Sequence, residues 1–144
     1  MADDTYVIDA AGLLVGRFAT HAARAAMHGK QVRIVNCEKA ALSGQKHMLI
    51  ALWKRKYARG VPRKGPFIVR QPDRFVRRII RGMLPNKTAR GREAYANLLC
   101  YIGTPKEFEG KAVAIEGAAA AKMPARRYLT VGQLCKELGG TWYE

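Results

Sequence analysis

Arg74, Arg77, Arg78 and Arg81 recur at i, i+3, i+4 and i+7, the spacing that gathers side chains along one side of a helix. Their common group, guanidinium, grips phosphate oxygens in pairs and stacks on planar bases. Between Lys54 and Arg92 the chain places 14 of its 26 Lys and Arg against a single acid, Asp73, and a field that positive calls for a polyanion. Phe75, Val76, Ile79, Ile80 and Met83 interleave with the arginines. The pattern predicts one short helix with an apolar stripe inward and an arginine stripe outward, ended by Gly82 and Pro85. Lys87, Arg90 and Arg92 follow in a loop that Thr88 and Gly91 keep small and polar. Upstream, Lys54, Arg55 and Lys56 close a helix and Arg59, Arg63 and Lys64 occupy a Gly- and Pro-punctuated loop. Together these residues form the expected polyanion-binding set: Lys54, Arg55, Lys56, Arg59, Arg63, Lys64, Arg74, Arg77, Arg78, Arg81, Lys87, Arg90 and Arg92.

Other chemistry is scarce. The acids and histidines are scattered over separate elements with no paired-carboxylate, Ser/His or metal-ligand spacing, which argues against an enzyme. Cys37, Cys100 and Cys135 are odd in number, widely separated and set among apolar neighbours, so they read as reduced core thiols. His21, His28 and His47 have no zinc-finger spacing to any of them. The turn Gly12-Leu13-Leu14-Val15-Gly16 lacks the dinucleotide fingerprint, and there is no phosphate loop, so no cofactor is expected. Gly12 is expected to shape the turn and Gly16 to let the following helix pack closely. Trp53, Tyr57 and Phe67 lie among the cations; core packing is expected of Trp53 and Phe67, whereas Tyr57 is left open between packing and stacking on a base.

The elements that must hold this surface fit one domain. A chain of 144 residues, 49% hydrophobic, suffices for a single core over residues 1–144, and the formal charge of +15 belongs with nucleic-acid binders. The longest weakly polar run, Ala112 to Ala121, is broken by Glu116 and Gly117, too short for a membrane span of about 20 residues. Asp3 and Asp4 stand where a secretory leader would carry basic residues, so the cytoplasm is the expected location. Tyr6 to Asp9 reads as a strand, Leu13 to Met27 as a helix buried through Leu14, Phe18, Ala22, Ala25 and Ala26 with Gly29 as its stop, and Val32 to Asn36 as a second strand. That unit predicts parallel strands and an α/β class. Cys37 to Leu42 reads as a compact connection, and Ser43 as the N-cap of a helix over Gly44 to Ala58 with apolar Met48, Leu49, Leu52 and Trp53. Phe67 to Val69 reads as extended, Gly91 to Leu99 as a helix, and Cys100 to Ile102 as a strand. Val113 to Ile115 reads as extended beside acidic Glu107 and Glu109, and Val131 to Leu138 as a helix capped by Thr130 and docked through Tyr128, Leu129, Leu134 and Leu138.

RNA is favoured over DNA because the cations spread over loops and helix ends, with no helix-turn-helix, zinc finger or basic zipper. Arg81 to Gly91, RGMLPNKTARG, resembles the signature of the L thirteen family of large-subunit ribosomal proteins. VIDAAGLLVGRFAT at Val7 to Thr20 and VNCEKAALSG at Val35 to Gly44 are similar to further blocks of that family, in family order. Gln45 to Arg59, KGPFIVRQP at Lys64 to Pro72 and YLTVGQLCKELG at Tyr128 to Gly139 resemble its archaeal and eukaryotic branch. Asn86 departs from the basic or histidine residue of the pattern.

The resemblance implies a three-layer α/β/α fold around a small, mostly parallel sheet of about four strands. It also implies a structural, non-catalytic place in the large ribosomal subunit, supporting its assembly. The implied partners are large-subunit rRNA and neighbouring ribosomal proteins, with no membrane and no small-molecule substrate. It assigns phosphate and sugar contacts to Arg81, Lys87, Arg90 and Arg92, with Gly82, Met83, Leu84 and Pro85 shaping the turn; the other cations extend the set from the charge pattern. The competing reading is a free RNA-binding regulator or chaperone, which would sediment apart from the large subunit.

Overall fold

The computed structural model describes residues 5–124 and 127–143; Asp3 and Asp4, the acids near the N-terminus, lie outside that range. Strand β1 (Thr5–Asp9) and strand β2 (Gln31–Val35) pair in parallel, Ile8 opposite Ile34, with helix α1 (Val15–Met27) between them. Helix α1 buries Val15, Phe18, Ala19, Ala22, Ala23 and Ala26, a stripe at three- and four-residue spacing. Its alanines bring the axis close to its neighbours, since contact distance follows side-chain size. Leu14, expected on that stripe, sits before the helix and packs with Ala41 and Ala120. Ala25 is half-buried. Gly29 takes φ +85°, the Gly29 N–H bonds the Ala26 carbonyl at 3.0 Å and the Lys30 N–H the Ala25 carbonyl at 3.2 Å, a pair of hydrogen bonds that a left-handed glycine makes possible at a helix end. Gly12 has φ +69° as its turn requires, but Gly16 is exposed with open space where a Cβ would be. Gly16 therefore does not serve close packing.

Strand β4 (Leu98–Cys100) joins the far side of β2, also parallel, giving the order β1-β2-β4. Two crossovers in the same direction put their helices on the same face when both are right-handed. Consistently, α1 packs against helix α3 (Pro72–Arg81) and helix α4 (Ala89–Ala96). Their shared core holds Ile8, Val32, Ile34 and Leu98 from the sheet with Phe18, Phe75, Val76 and Ile80 from the helices, each worth about 1.5–3 kcal/mol of burial. Val7 and Val35, of opposite pleat, are buried too, so both faces of the sheet are covered at its middle.

The chain is thus mixed α/β with a small, mostly parallel sheet, and the expected strands, about four, resolve among the described residues as three plus a separate antiparallel pair. That pair is β3 (Ala41–Ser43) with β5 (Tyr128–Thr130), Leu42 opposite Leu129. Ala41 and Leu42, the last third of the expected 37–42 connection, are therefore strand, after a single 3-10 turn at Cys37–Lys39. Ser43 lies in β3 and does not cap the next helix, α2 (Lys46–Tyr57), which has no side-chain cap. Thr130 does cap α5 (Val131–Glu137), its hydroxyl accepting the Gln133 N–H at 3.3 Å. Leu129, Leu134 and Leu138 dock it, while Tyr128 is exposed. Farther along the outer edge, the Val113 N–H bonds the Val7 carbonyl at 2.8 Å, so the expected extended stretch 113–115 adds one parallel bridge to β1. Strand β4 begins two residues earlier than expected and α4 ends earlier, because Thr88 starts α4 ahead of Gly91.

Candidate nucleic-acid interface

Helix α2 has no buried residue. Met48 is 61% and Leu52 40% exposed, and only the half-buried Leu49, Ile50, Trp53 and Tyr57 pack on the core. The helix is an arm laid on the body, and its last turn carries Lys54, Arg55 and Lys56, where cations also complement the helix dipole. Beyond it, residues 59–65 make a tight turn in which the Val61 and Gly65 backbones bond each other, the Gly65 N–H to the Val61 carbonyl at 2.9 Å. This turn lifts Arg59, Arg63 and Lys64 into solvent. Residues 66–70 return without strand pairing to α3.

Two hydrogen bonds fasten the returning arm, and an aromatic contact holds α2 against α3. The Tyr57 hydroxyl donates to the Val69 carbonyl. Arg78 donates to the Phe67 carbonyl at 3.1 Å. Trp53 packs on Phe75 with ring centroids 4.7 Å apart, and Lys56 lies 4.3 Å over the Trp53 ring. Burial pushes the Tyr57 phenol pKa up, against the opposing pull of Arg70 and Arg78, so the phenol remains a neutral donor. Trp53 packs as expected of a core aromatic. Phe67 does not: it is 70% exposed, because the extended arm places it beyond the groove lined by Trp53, Lys56, Ile68, Val69, Phe75, Arg78 and Ile79.

Helix α3 divides its arginines by angle. At about 100° per residue, Arg74 and Arg81 lie opposite the buried Phe75, Val76 and Ile80, whereas Arg77 and Arg78 fall at the two borders of that face. Each border arginine bonds a neighbouring carbonyl: Arg78 that of Phe67, and Arg77 that of Tyr95 in α4 at 3.2 Å. The Arg77 guanidinium also lies 4.3 Å over the Tyr95 ring, and its Nε is buried without a partner among the described residues. The expected outward stripe therefore narrows: Arg77 is half-buried and laces α3 to α4. Ile79 is half-buried and Met83 44% exposed, while Leu84 is buried instead.

The turn after α3 is tight. The Thr88 N–H and hydroxyl both donate to the Pro85 carbonyl, at 3.0 and 2.8 Å, and the Thr88 oxygen accepts the Gly91 N–H at 3.2 Å. Thr88 so caps α4, and Arg90 and Arg92, expected in a loop, stand on its first turns. Arg90 reaches back to the Met27 carbonyl at the end of α1, 3.3 Å away. Arg24 of α1 lines a groove with Met27 and Met83 beside this turn. Sequence distance hid that cation. Arg70, exposed and 5.6 Å over the Tyr57 ring, is a further cation of the basic stretch outside the expected set.

Of the 13 expected residues, Lys56, Arg77, Arg78 and Arg90 are engaged within the protein. The other nine (Lys54, Arg55, Arg59, Arg63, Lys64, Arg74, Arg81, Lys87 and Arg92) are exposed and have no partner among the described residues. The three cysteines are free thiols. Hydrogen bonding with Cys100, followed by burial, holds the Cys37 pKa well above its ordinary value, and burial, followed by the charge of Asp73, pushes Cys135 to about 12. No described group of three or more His, Cys, Asp or Glu could hold a metal, and no described helix is long and apolar enough to cross a membrane.

Comparison with known proteins places this geometry in context. The family model for Ribosomal protein L13 matches residues 3–107. A large ribosomal subunit protein uL13 of Methanopyrus kandleri is 43% identical over 136 residues, covering 92% of this chain and 86% of the relative. Those of Archaeoglobus fulgidus and Methanococcoides burtonii are each 39% identical, covering 96% and 92% of this chain and 90% and 96% of theirs.

Proposed function

The chain belongs to the Ribosomal protein L13 family, a family of structural large-subunit constituents, and from that premise we propose that it binds large-subunit rRNA and supports assembly of the subunit. It does so as one rRNA-binding unit over residues 1–144, in the cytoplasm, beside other ribosomal proteins. The observation that carries this reading is the set of nine exposed cations without protein partners, displayed from the α2 end, the 59–65 turn, the outer side of α3 and the turn into α4. Bare guanidinium and ammonium groups over several elements match phosphates spaced along a folded RNA, not one small anion. Lys56, Arg78 and Arg90 border the same surface and retain donors for it; Arg77 contributes chiefly by fixing α3 against α4.

Each neutralised phosphate steepens the log–log dependence of affinity on salt by about 0.7 to 0.9. If six to nine of these cations meet phosphate, the slope with an rRNA transcript is expected at roughly 4 to 8. A slope near zero would overturn the reading. Sedimentation of cell extract separates it from a free regulator: the chain is expected with the large subunit through a moderate-salt wash, whereas accumulation in the light fractions would favour the regulator.

A further inference from the structure

Phe67 is a large apolar ring left 70% exposed on a chain that has a core to put it in. It is not loose. Its carbonyl is held by Arg78 at 3.1 Å, and Gly65, at φ +89°, lies so close beneath the ring that a Cβ there would stand 3.2 Å from Phe67 Cδ2. Along the chain, Phe67 stands between the exposed turn bearing Arg63 and Lys64 and Ile68 and Val69, which line a groove with Lys56 and Arg78. From Lys54 to Arg70 the chain contains seven cations and no acid.

We propose that Phe67 is a stacking platform for an unpaired nucleobase of the RNA, flanked by Arg63 and Lys64 for the adjoining phosphates; the inference rests on the rRNA-binding reading above. An aromatic face amid cations suits a base, which offers a π-face to the ring and a phosphate on either side. A protein surface covering the same ring would have to be strongly acidic to tolerate these neighbours. Having no polar atom on the ring, Phe67 cannot read base identity, so the site selects for an unpaired base and not for a sequence.

The test compares the full chain with Phe67→Ala, Phe67→Tyr and Arg63→Ala, using an in-vitro transcript of large-subunit rRNA across a salt series. Because the ring is exposed, all variants are expected to melt like the parent. Phe67→Ala should weaken binding roughly five- to a hundred-fold with the salt slope unchanged, and Phe67→Tyr should restore it. Arg63→Ala should lower the slope by about one unit. Irradiation at short wavelength should join the peptide containing Phe67 to a nucleotide that chemical probing shows to be unpaired. If Phe67→Ala binds like the parent while Arg63→Ala flattens the slope, the stacking site is overturned, the rRNA reading stands, and a protein partner becomes the cover for the ring. If the parent itself shows no salt-dependent binding, both fail.

Discussion

Gly91→Ala probes the signature turn more sharply than any change of charge. The Gly91 φ lies outside the left-handed region, so an alanine meets no backbone penalty there and would ordinarily stabilise a helix by about 0.5–1 kcal/mol. Position 91 is not ordinary. A Cβ built on it stands 2.0 Å from the Pro85 carbonyl oxygen and 3.1 Å from the Asn86 nitrogen, whereas real Cβ atoms keep at least 3.0 Å. The neighbour is backbone, which no rotamer change can move aside, so the turn must open by about 1 Å in a close-packed environment. Opening it strains both Thr88 bonds to Pro85 and the Gly91 cap. Overpacking costs about 1–3 kcal/mol and a lost cap about 1 kcal/mol, together roughly 2–4 kcal/mol. At about 2–4 °C per kcal/mol for a chain of this size, the midpoint should fall by roughly 4–16 °C. Thermal melts of Gly91→Ala and Gly16→Ala measure this side by side, because Gly16 is a helical glycine with open space around it and should melt at or slightly above the parent. If Gly91→Ala melts within 2 °C of the parent, or Gly16→Ala falls as far, the argument that this turn admits only glycine is refuted.

Helix α3 should answer differently at each angle. Ile80→Ala, removing a fully buried side chain, should cost about 2–5 kcal/mol in urea unfolding, whereas Arg74→Ala and Arg81→Ala should stay within about 0.5 kcal/mol while lowering the RNA salt slope by about one unit each. Arg77→Ala should fall between, at about 1–2 kcal/mol, since it loses a charged hydrogen bond and a ring contact but also relieves a buried, unpartnered Nε; a cost under 0.3 kcal/mol would contradict its lacing role. Trypsin should cut the RNA-free chain first at Arg59, Arg63 or Lys64, in the exposed turn, and be blocked there when RNA is bound; equal resistance in both states would count against contact. Stability should decline in alkali: Cys135 keeps its proton to about 12 in the folded chain against an ordinary 9.0, so the unfolded state loses protons first and folding weakens as pH rises above about 9. Cys135→Ala, followed by urea unfolding at pH 8 and pH 10, should flatten that decline, and an unchanged slope would show that this thiol does not cause it.

What the amino-acid order determined by itself is local. The alanine stripe of α1, its stop at Gly29, the Thr130 cap and the two strands around α1 are written in spacings of a few residues, and the apolar and basic periodicities of α3 are likewise a matter of angle around one axis. The concentration of 14 cations between Lys54 and Arg92 could be counted, so the place of the proposed interface was legible from the sequence alone. Tertiary structure decided the rest because the deciding neighbour lies far along the chain. Strands β3 and β5 are three residues each, too short to show a period, and exist only because distant segments pair. Ser43, a good cap by type, was taken by that pairing. Arg77 and Arg78 are adjacent and chemically identical, yet α4 claims the first and the returning arm the second. Phe67 has the composition of a core residue and is held out in water by the path of the arm. Gly91 reads as a small polar loop residue until the Pro85 carbonyl is brought against it. In each case local chemistry offers a side chain two or more environments of similar free energy, and the packing of remote elements selects one.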